Sequence, residues 1–544
     1  MRLNKILQKD YTLSSLYYQI KLPLDLEILI PADDPVRLLS TFVEGMELRD
    51  LYKTYGKIKK NQASPRQLFK IIIYASMNRI YSSRDIETAC HRDINFMYLL
   101  EGKPVPDHAT IARFISLHFS KCSKNTLAEV SDILLEIGEI SGKSVFIDGT
   151  KLESVANKYT FVWKKAVTKH QARLLRKTAL LVGDIIERHN LKPLWKKQVK
   201  KKHVKQLLKT LRLMAEENEI EFVSGRGHRK EQLQRDIEDL KAALEKIKEY
   251  ETKLHRCGRR NSYSKTDHDA TFMHMKDDHM MNGQLKPAFN VQHAVNSGFI
   301  VAVGIYPNPT DVLTLKPFVE SMETNLRMRF DRIVADAGYE SEENLVYLKE
   351  KKIEAYIKPG NYEQLGTKKF AKQIGRKENM RYDKENDCYI CFNGKTVKKT
   401  GSRKGKTASG YVREVTSYHC SECDGCPYRA KCLEGKNWKK PLSERYKTLT
   451  VSRKFEELRE EEYRLIHSEE GKKLRRNRSI QAEGCFADIK GDSGFVRFLC
   501  RGTENVQAEY ILFAMAHNLG WLHSRIQNDK LDLHLYELTQ KEAA

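Results

Sequence analysis

The chain has 544 residues, 40% of them hydrophobic, and a formal charge of +24 from 96 Lys+Arg against 72 Asp+Glu. That length predicts roughly two to four domains with several cores, and the charge predicts a polyanionic partner, nucleic acid ahead of acidic protein or a membrane surface. No stretch approaches the roughly 20 uninterrupted apolar residues of a membrane span, and the opening MRLNKILQKDYTLSS has no apolar core of a secretion signal. The eleven cysteines are an odd total, and six fall between Cys388 and Cys432. Their CxxC spacing in an unexported chain predicts metal or free thiols rather than disulfides, and a cytoplasmic location.

Residues 1–135 read as helical after an irregular start. Ser64-Pro65 opens one helix, with Ser at the cap and Pro in the first turn, and Gln67–Arg79 continues it at helical spacing. Ser82-Ser83 opens a second and Pro106-Asp107 precedes a third. Short helices with tight turns and exposed basic residues suit a helix-turn-helix DNA reader or an ordinary helical bundle equally. Ser144–Thr150 then reads as a buried strand ending in Asp148-Gly149. Residues 160–260 are basic and helical. They carry the run KKQVKKKHVKQLLK and an apolar seam of Leu233, Ile237, Leu240, Leu244, Ile247 and Leu254, which predicts a helical hairpin or short coiled coil.

Strand signals return at Ala288–Gln292 and Phe299–Val303, joined by the turn Asn296-Ser297-Gly298. A helix is predicted over Asp311–Met328, a buried strand over Arg332–Ala335 ending in Asp336, a helix over Glu342–Lys351 and a strand over Ile353–Ile357. This alternation predicts an α/β domain with a partly parallel sheet over 261–358, to which the strand within 140–159 belongs. Residues 359–450 read as an irregular cysteine-rich insertion. The stretch 451–544 is helical, with one helix over Arg475–Lys490 and an apolar one over Asn505–Ile526.

An aspartate at the end of an apolar strand is costly without a purpose. Asp148 and Asp336 both stand at the carboxyl ends of strands, where open α/β sheets place their sites, although either one alone could simply cap a turn. Two metal ions about 3.5–4 Å apart, in the arrangement used for in-line phosphoryl displacement, need converging carboxylates, and magnesium prefers oxygen ligands. Glu483, in RRNRSIQAEGCFADIK, is the candidate third ligand. Arg476, Glu483 and Lys490 are spaced by seven and share a face on an ideal helix, which suits phosphate contacts beside a metal or a surface ion-pair ladder. Cys388, Cys391, Cys420, Cys423, Cys426 and Cys432 offer paired CxxC units for a structural zinc, or make a reduced cysteine-rich loop. Charge and position nominate Lys286, Arg259, Arg260 and the lysines near Lys200 as phosphate anchors, and the N-terminal helices as readers of base sequence.

DGTKLESVANKY, YSKTDHDATFMHMKDDHMMNGQLKPAFNVQ, ADAGYES and RSIQAEGCFADIKGDSGFVRFLCRGTENVQAE together resemble the DDE transposases of bacterial insertion sequences. DDPVRLLSTFVE, SPRQLFKIIIYASMNRIYSSRDIETACHRDINFMYLLEG and PDHATIARF resemble their InsH-like N-terminal domain. The resemblance runs from about Leu22 to Leu522. It implies a ribonuclease-H-like core with a helical N-terminal DNA-binding domain, a helical insertion and a cysteine-rich insertion. It further implies catalytic, metal-holding Asp148, Asp336 and Glu483, with two Mg2+ or Mn2+ ions, and Lys490 as the lysine of a Glu-x6-Lys signature. The family's arginine stands four residues before the glutamate, where this chain has Ser479. Arg478, one residue off, takes the phosphate role, with Arg476 as its rival. Tyr339 is read as a packing or DNA-contact residue. The implied partners are the terminal inverted repeats and target DNA, bound by a homodimer on the bacterial nucleoid. A catalytically silent repressor and another ribonuclease-H-like nuclease are the alternatives.

Overall fold

The computed structural model describes residues 29–193, 199–225, 229–275, 283–434 and 440–531. The first lysines of the basic run (196–197) and the chain ends before 29 and after 531 lie outside them.

The N-terminal helices follow from their caps. Asp34 caps α1 (Pro35–Gly45). Ser64 caps α2 (Pro65–Met77) and the Gln67 side chain returns to the Ser64 N–H, so both ends of a capping box are made. Ser82 caps α3 (Ser83–Arg92), Asp93 caps α4 (Ile94–Leu100), and Asp107 caps α5 (His108–Arg113). The chain then runs through a π-helical turn at Phe114–Phe119 into α6 (Ser120–Glu136).

The next segment enters the main sheet. Strand β1 (Ser144–Glu153) is buried over its first seven residues. The short β2 (Phe161–Trp163) pairs with β3 (Ser262–Ser264), and this two-stranded stem encloses α7 (Lys164–Arg188), α8 (Lys201–Glu217) and α9 (Gln232–Cys257). Those three helices have their own core, in which Leu233, Ile237, Leu240 and Leu244 of the predicted seam meet Val182, Ile185, Val204, Leu207 and Leu211. Ile247 is also buried, whereas Leu254 packs in a smaller cluster at the stem.

Strands β4 (Thr271–His274), β5 (Leu285–Asn296), β6 (Phe299–Tyr306), β7 (Arg332–Ala335) and β8 (Glu354–Ile357) complete the sheet. Its order is β6-β5-β1-β7-β8, with β4 beside the first half of β5 on the same edge as β6. β1, β7 and β8 are parallel, and β5 and β6 are antiparallel to their neighbours. The helix expected over Asp311–Met328 is shorter. Asp311–Leu313 forms a separate 3-10 turn and α10 spans Leu315–Asn325, because the Asp311 side chain is held by β5. After β7 come α11 (Glu342–Glu350) and β8.

A second, antiparallel sheet carries the cysteines: β9 (Arg381–Asp383), β10 (Cys388–Ile390), β11 (Thr396–Lys406), β12 (Val412–His419) and β13 (Thr448–Val451), in the order β13-β12-β11-β10-β9. Helices α12 (Arg453–His467) and α13 (Glu469–Arg478) lead into two π-helical turns, Ser479–Glu483 and Asp488–Asp492, separated by α14 (Gly484–Ala487). The final described helix, α15 (Thr503–Gln527), is buried along most of its length. It packs on β6, α2 and α6 together, so the N-terminal helices and the main sheet share one continuous apolar core. Among the described residues no helix is long and apolar enough to cross a membrane.

Candidate active site

The parallel register pairs Ile147 of β1 with Ala335 of β7. The next residue on each chain segment is an aspartate, so Asp148 and Asp336 stand at the same level. Asp336 follows the end of β7, whereas Asp148 is not the strand end that the sequence predicts, because β1 continues to Glu153 in its pairing with β5 and only its pairing with β7 stops at Ile147. The residues before them, Val145–Ile147 and Ile333–Ala335, are buried, which fixes the backbone that carries both aspartates. Asp148 Oδ1 accepts from the Gly149 N–H at 2.8 Å. Asp336 Oδ1 accepts from the Gly338 N–H at 2.8 Å and caps the 3-10 turn Ala337–Tyr339. Capping and site placement therefore coincide in Asp336.

Glu483 reaches this level from the opposite side. Across β1, Asp148 pairs with His293 of β5, whose ring stacks on Phe486 at 3.5 Å and whose Nε2 lies 3.2 Å from the Ala482 carbonyl oxygen. Burial pushes the His293 imidazole down to about 3, so it is neutral. Gln481 accepts from the Gly298 N–H in the hairpin turn between β5 and β6. These contacts seat the first π-turn against the sheet.

That turn also changes the spacing between Arg478 and Glu483. A π-turn closes i→i+5 rather than i→i+4 bonds and so absorbs one extra residue. Arg478, five residues before Glu483, occupies the place that four residues would reach in an α-helix. Its Nη2 lies 2.9 Å from Glu483 Oε1 and its Nη1 3.4 Å from Asp148 Oδ2. The Arg478 side chain is only 12% exposed, and Nη1 has no hydrogen-bond partner beyond that ion pair. Arg476 is exposed, and Lys490 is half-buried in the second π-turn. The seven-residue period invoked for Arg476, Glu483 and Lys490 assumed an unbroken α-helix, and the two π-turns break it.

Asp311 is a fourth carboxylate that sequence reasoning missed. Its Oδ1 accepts from Asn290 Nδ2 at 2.8 Å and Gln292 Nε2 at 3.0 Å. It fits only because two neighbours are glycine. A Cβ on Gly149 would lie 2.8 Å from Asp311 Oδ1, and one on Gly338 would lie 3.2 Å from Asp311 Oδ2 and 2.9 Å from Asp336 Oδ1. Asp311 thus sits between the residues that follow Asp148 and Asp336. The available signal was Asn290-x-Gln292, two amides on one face of an otherwise apolar strand, which when buried demand a polar partner. Gln292 also accepts the Tyr339 hydroxyl. Tyr339 is fully buried, and its acidity is suppressed first by burial and then by the charges of Asp311, Asp148 and Asp336, with Arg478 opposing. It packs, as one of its two sequence readings has it.

Among the described residues, no group of three or more His, Cys, Asp or Glu side chains is arranged to hold a metal ion as it stands. Asp148 and Glu483 instead face each other across Arg478. The chemistry of the donors nevertheless suits a hard divalent cation: all are carboxylate oxygens, and the space between Asp148 and Glu483 already accepts positive charge.

The other nominated residues are largely engaged within the protein. Lys286 Nζ lies 2.9 Å from Glu153 Oε2. Arg259 donates to the Ser409 carbonyl at 3.3 Å, and Arg260 to the carbonyls of Asp269 and Arg256, both at 2.8 Å. Cys420 and Cys423 are buried in the small core of the second sheet and Cys391 packs against it. Cys388 is buried on β10, while Cys426 and Cys432 are half-buried. None of the six is in a disulfide. Burial pushes the Cys420 thiol up to about 11, with Cys423 and Cys391 adding to the rise.

Asp148 within β1, Asp336 just past the end of β7, Glu483 in a π-helical turn and the largely buried Arg478 between Asp148 and Glu483 make an acidic cluster whose oxygen donors suit a hard cation. Residues 390–523 match the family model of the transposase DDE domain, and residues 24–117 match that of a transposase domain, DUF772. Both matches support one family, a DDE transposase of insertion-sequence type. The first match contains Arg478 and Glu483, whereas Asp148, Asp311 and Asp336 lie between the two matched segments. No curated protein and no solved structure matches the chain.

Proposed function

We propose that the chain binds the terminal inverted repeats of its insertion sequence and catalyses metal-dependent DNA strand cleavage and strand transfer. The observation that carries this reading is the placement of Asp148 and Asp336 directly after the paired residues Ile147 and Ala335 of parallel strands, with Arg478 joining Asp148 to Glu483. The sheet order, with two antiparallel strands on one side of β1 and two parallel ones on the other, supports a ribonuclease-H-like core. Asp148, Asp336 and Glu483 would hold two Mg2+ or Mn2+ ions. When bound, such ions polarise the scissile phosphate and activate water or a 3′-hydroxyl for in-line attack. Arg478 balances the carboxylates and, with Lys490, offers charge to the phosphate. Tyr339 is buried and hydrogen-bonded, so it is no covalent nucleophile in this scheme. The N-terminal helices would read the repeats, a homodimer would join two ends, and the site of action would be the cytoplasmic nucleoid. A structural zinc on the clustered cysteines is a companion proposal resting on their CxxC spacing alone, since no three of them are arranged around one ion as they stand, and metal analysis of the purified protein tests it.

The test is cleavage of labelled DNA from the ends flanking the gene, with Mg2+ or Mn2+, beside Glu483→Gln. Metal-dependent nicks at the element boundary, lost in the variant while binding persists, are expected. Specific binding with no nick under either metal would instead establish the repressor alternative.

A further inference from the structure

The two long strands of the second sheet outrun their neighbours. β10 pairs with β11 only at Thr396–Lys398, and β13 pairs with β12 only at Thr416–His419. Beyond those points, Arg403–Lys406 and Val412–Val415 pair only with each other among the described residues. The result is a bare two-stranded ribbon. Arg403, Lys404 and Lys406 on one strand and Val412, Arg413 and Glu414 on the other are all exposed.

Such a ribbon is marginal in water by itself. This one is tied down at its far end. The Tyr411 hydroxyl lies 3.2 Å from Glu342 Oε1, the Ser409 hydroxyl bonds to Glu343, and Arg259 donates to the Ser409 carbonyl. Glu342 and Glu343 open α11, the helix that follows Asp336 and its 3-10 turn. The ribbon is therefore a strut between the cysteine-bearing sheet and the segment just after Asp336, fixed at both ends and, apart from Val415 near its base, largely exposed between them.

Its charge is one-sided. Residues 396–419 hold six Lys+Arg and one acid, Glu414. Lys399 is paired with Asp387 at the base. The register sets Arg403 opposite Val415 and Arg413 opposite Gly405, so the two arginines share one face, while Lys404 and Lys406 share the other with Glu414. Cations crowded on a ribbon repel one another, and between its anchored ends the ribbon itself carries a single carboxylate, Glu414. A solvated face would not require both ends to be anchored, or the span to begin beside the carboxylate site. A duplex supplies a continuous line of phosphates and a major groove wide enough to admit a two-stranded ribbon.

We propose that the ribbon of β11 and β12 is a phosphate-tracking arm, with Arg403, Lys404, Lys406 and Arg413 gripping duplex DNA that leads into the carboxylate site. The assignment rests on the transposase reading and adds to it the surface that holds the substrate. The experiment measures affinity of the full chain for a duplex carrying one element end, across a salt series. Each phosphate contact contributes about 0.9 to the slope of log K against log salt. Replacing all four cations with alanine is expected to lower the slope by about 2–4, with the melting temperature unchanged. Arg403→Lys with Arg413→Lys keeps the charge and should keep the slope. If the alanine variant does not fold, acetylation of Lys404 and Lys406 in the wild-type chain replaces it, with DNA expected to protect both. A wild-type chain that binds duplex while the quadruple variant keeps its full slope, or while DNA leaves both lysines unprotected, overturns the arm alone. A wild-type chain that binds no duplex overturns the transposase reading and the arm with it.

Discussion

Replacing Tyr339 with Phe should weaken the fold and leave strand cleavage intact. The hydroxyl donates to Gln292 Oε1, and both residues are fully buried. The rest of the Gln292 amide is committed, since Nε2 donates to Asp311 at 3.0 Å and to Asn290 at 2.9 Å. Rotating the amide to rescue Oε1 would break those bonds and turn an acceptor toward the Asp311 carboxylate. The variant therefore leaves one buried acceptor without a donor, a cost of about 1–3 kcal/mol, with almost no volume removed. Urea unfolding should show a lower midpoint of that size. Single-turnover cleavage of an end-bearing duplex should stay within about tenfold of wild type, because the proposed scheme uses no covalent tyrosine intermediate and the carboxylates remain in place. Cleavage abolished at unchanged stability, or a protein–DNA adduct that disappears with Tyr339→Phe, would refute this reasoning and move the chemistry to the tyrosine.

Further perturbations separate the parts of the site. Arg478→Lys should lose about 10²–10³ in cleavage rate, since one ammonium cannot span Asp148 and Glu483 as the guanidinium does; a rate within threefold of wild type on single-turnover assay argues against a role for the bridge. Asp311→Asn keeps an acceptor for Asn290 and Gln292 but removes a charge beside Asp148 and Asp336, so the fold should survive while the metal concentration for half-maximal cleavage rises; an unchanged metal titration would exclude Asp311 from the site's electrostatics. Burial raises the Glu462 carboxyl from 4.5 to about 8. Folded protein thus keeps a proton that unfolded chain has released, so this group's stabilising contribution is full below pH 4.5 and is lost as pH rises to about 8. Melting temperature should fall across that window in wild type and fall less in Glu462→Gln; identical profiles would show that the carboxyl ionises freely in the fold.

Local chemistry was legible where a short stretch carries its own reason. Ser64, Ser82 and Asp107 announce helices because each side-chain oxygen satisfies an N–H a few residues on. Asp148 and Asp336 stand out because a carboxylate directly after a buried apolar run is rarely there by accident, although β1 carries on past Asp148 to Glu153. The seam of α9 was legible because helical periodicity marks one face for burial.

The site's completion depended on relations no single segment contains. Asp311 reads as the start of a helix until β5 brings Asn290 and Gln292 to it. Arg478 looks misplaced because spacing arguments assume α-helical turns, and the π-turn that corrects it is held by contacts to β5 and the hairpin. Lys286 looks like a free cation until strand pairing sets Glu153 against it. The sequence by itself determined which residues could carry charge, cap a helix or end a strand, since those depend on neighbours a few residues away. Only the tertiary structure decided which of them meet, because strand register and helix seating are settled by packing between segments hundreds of residues apart, where a shift of one residue turns a side chain to the other face.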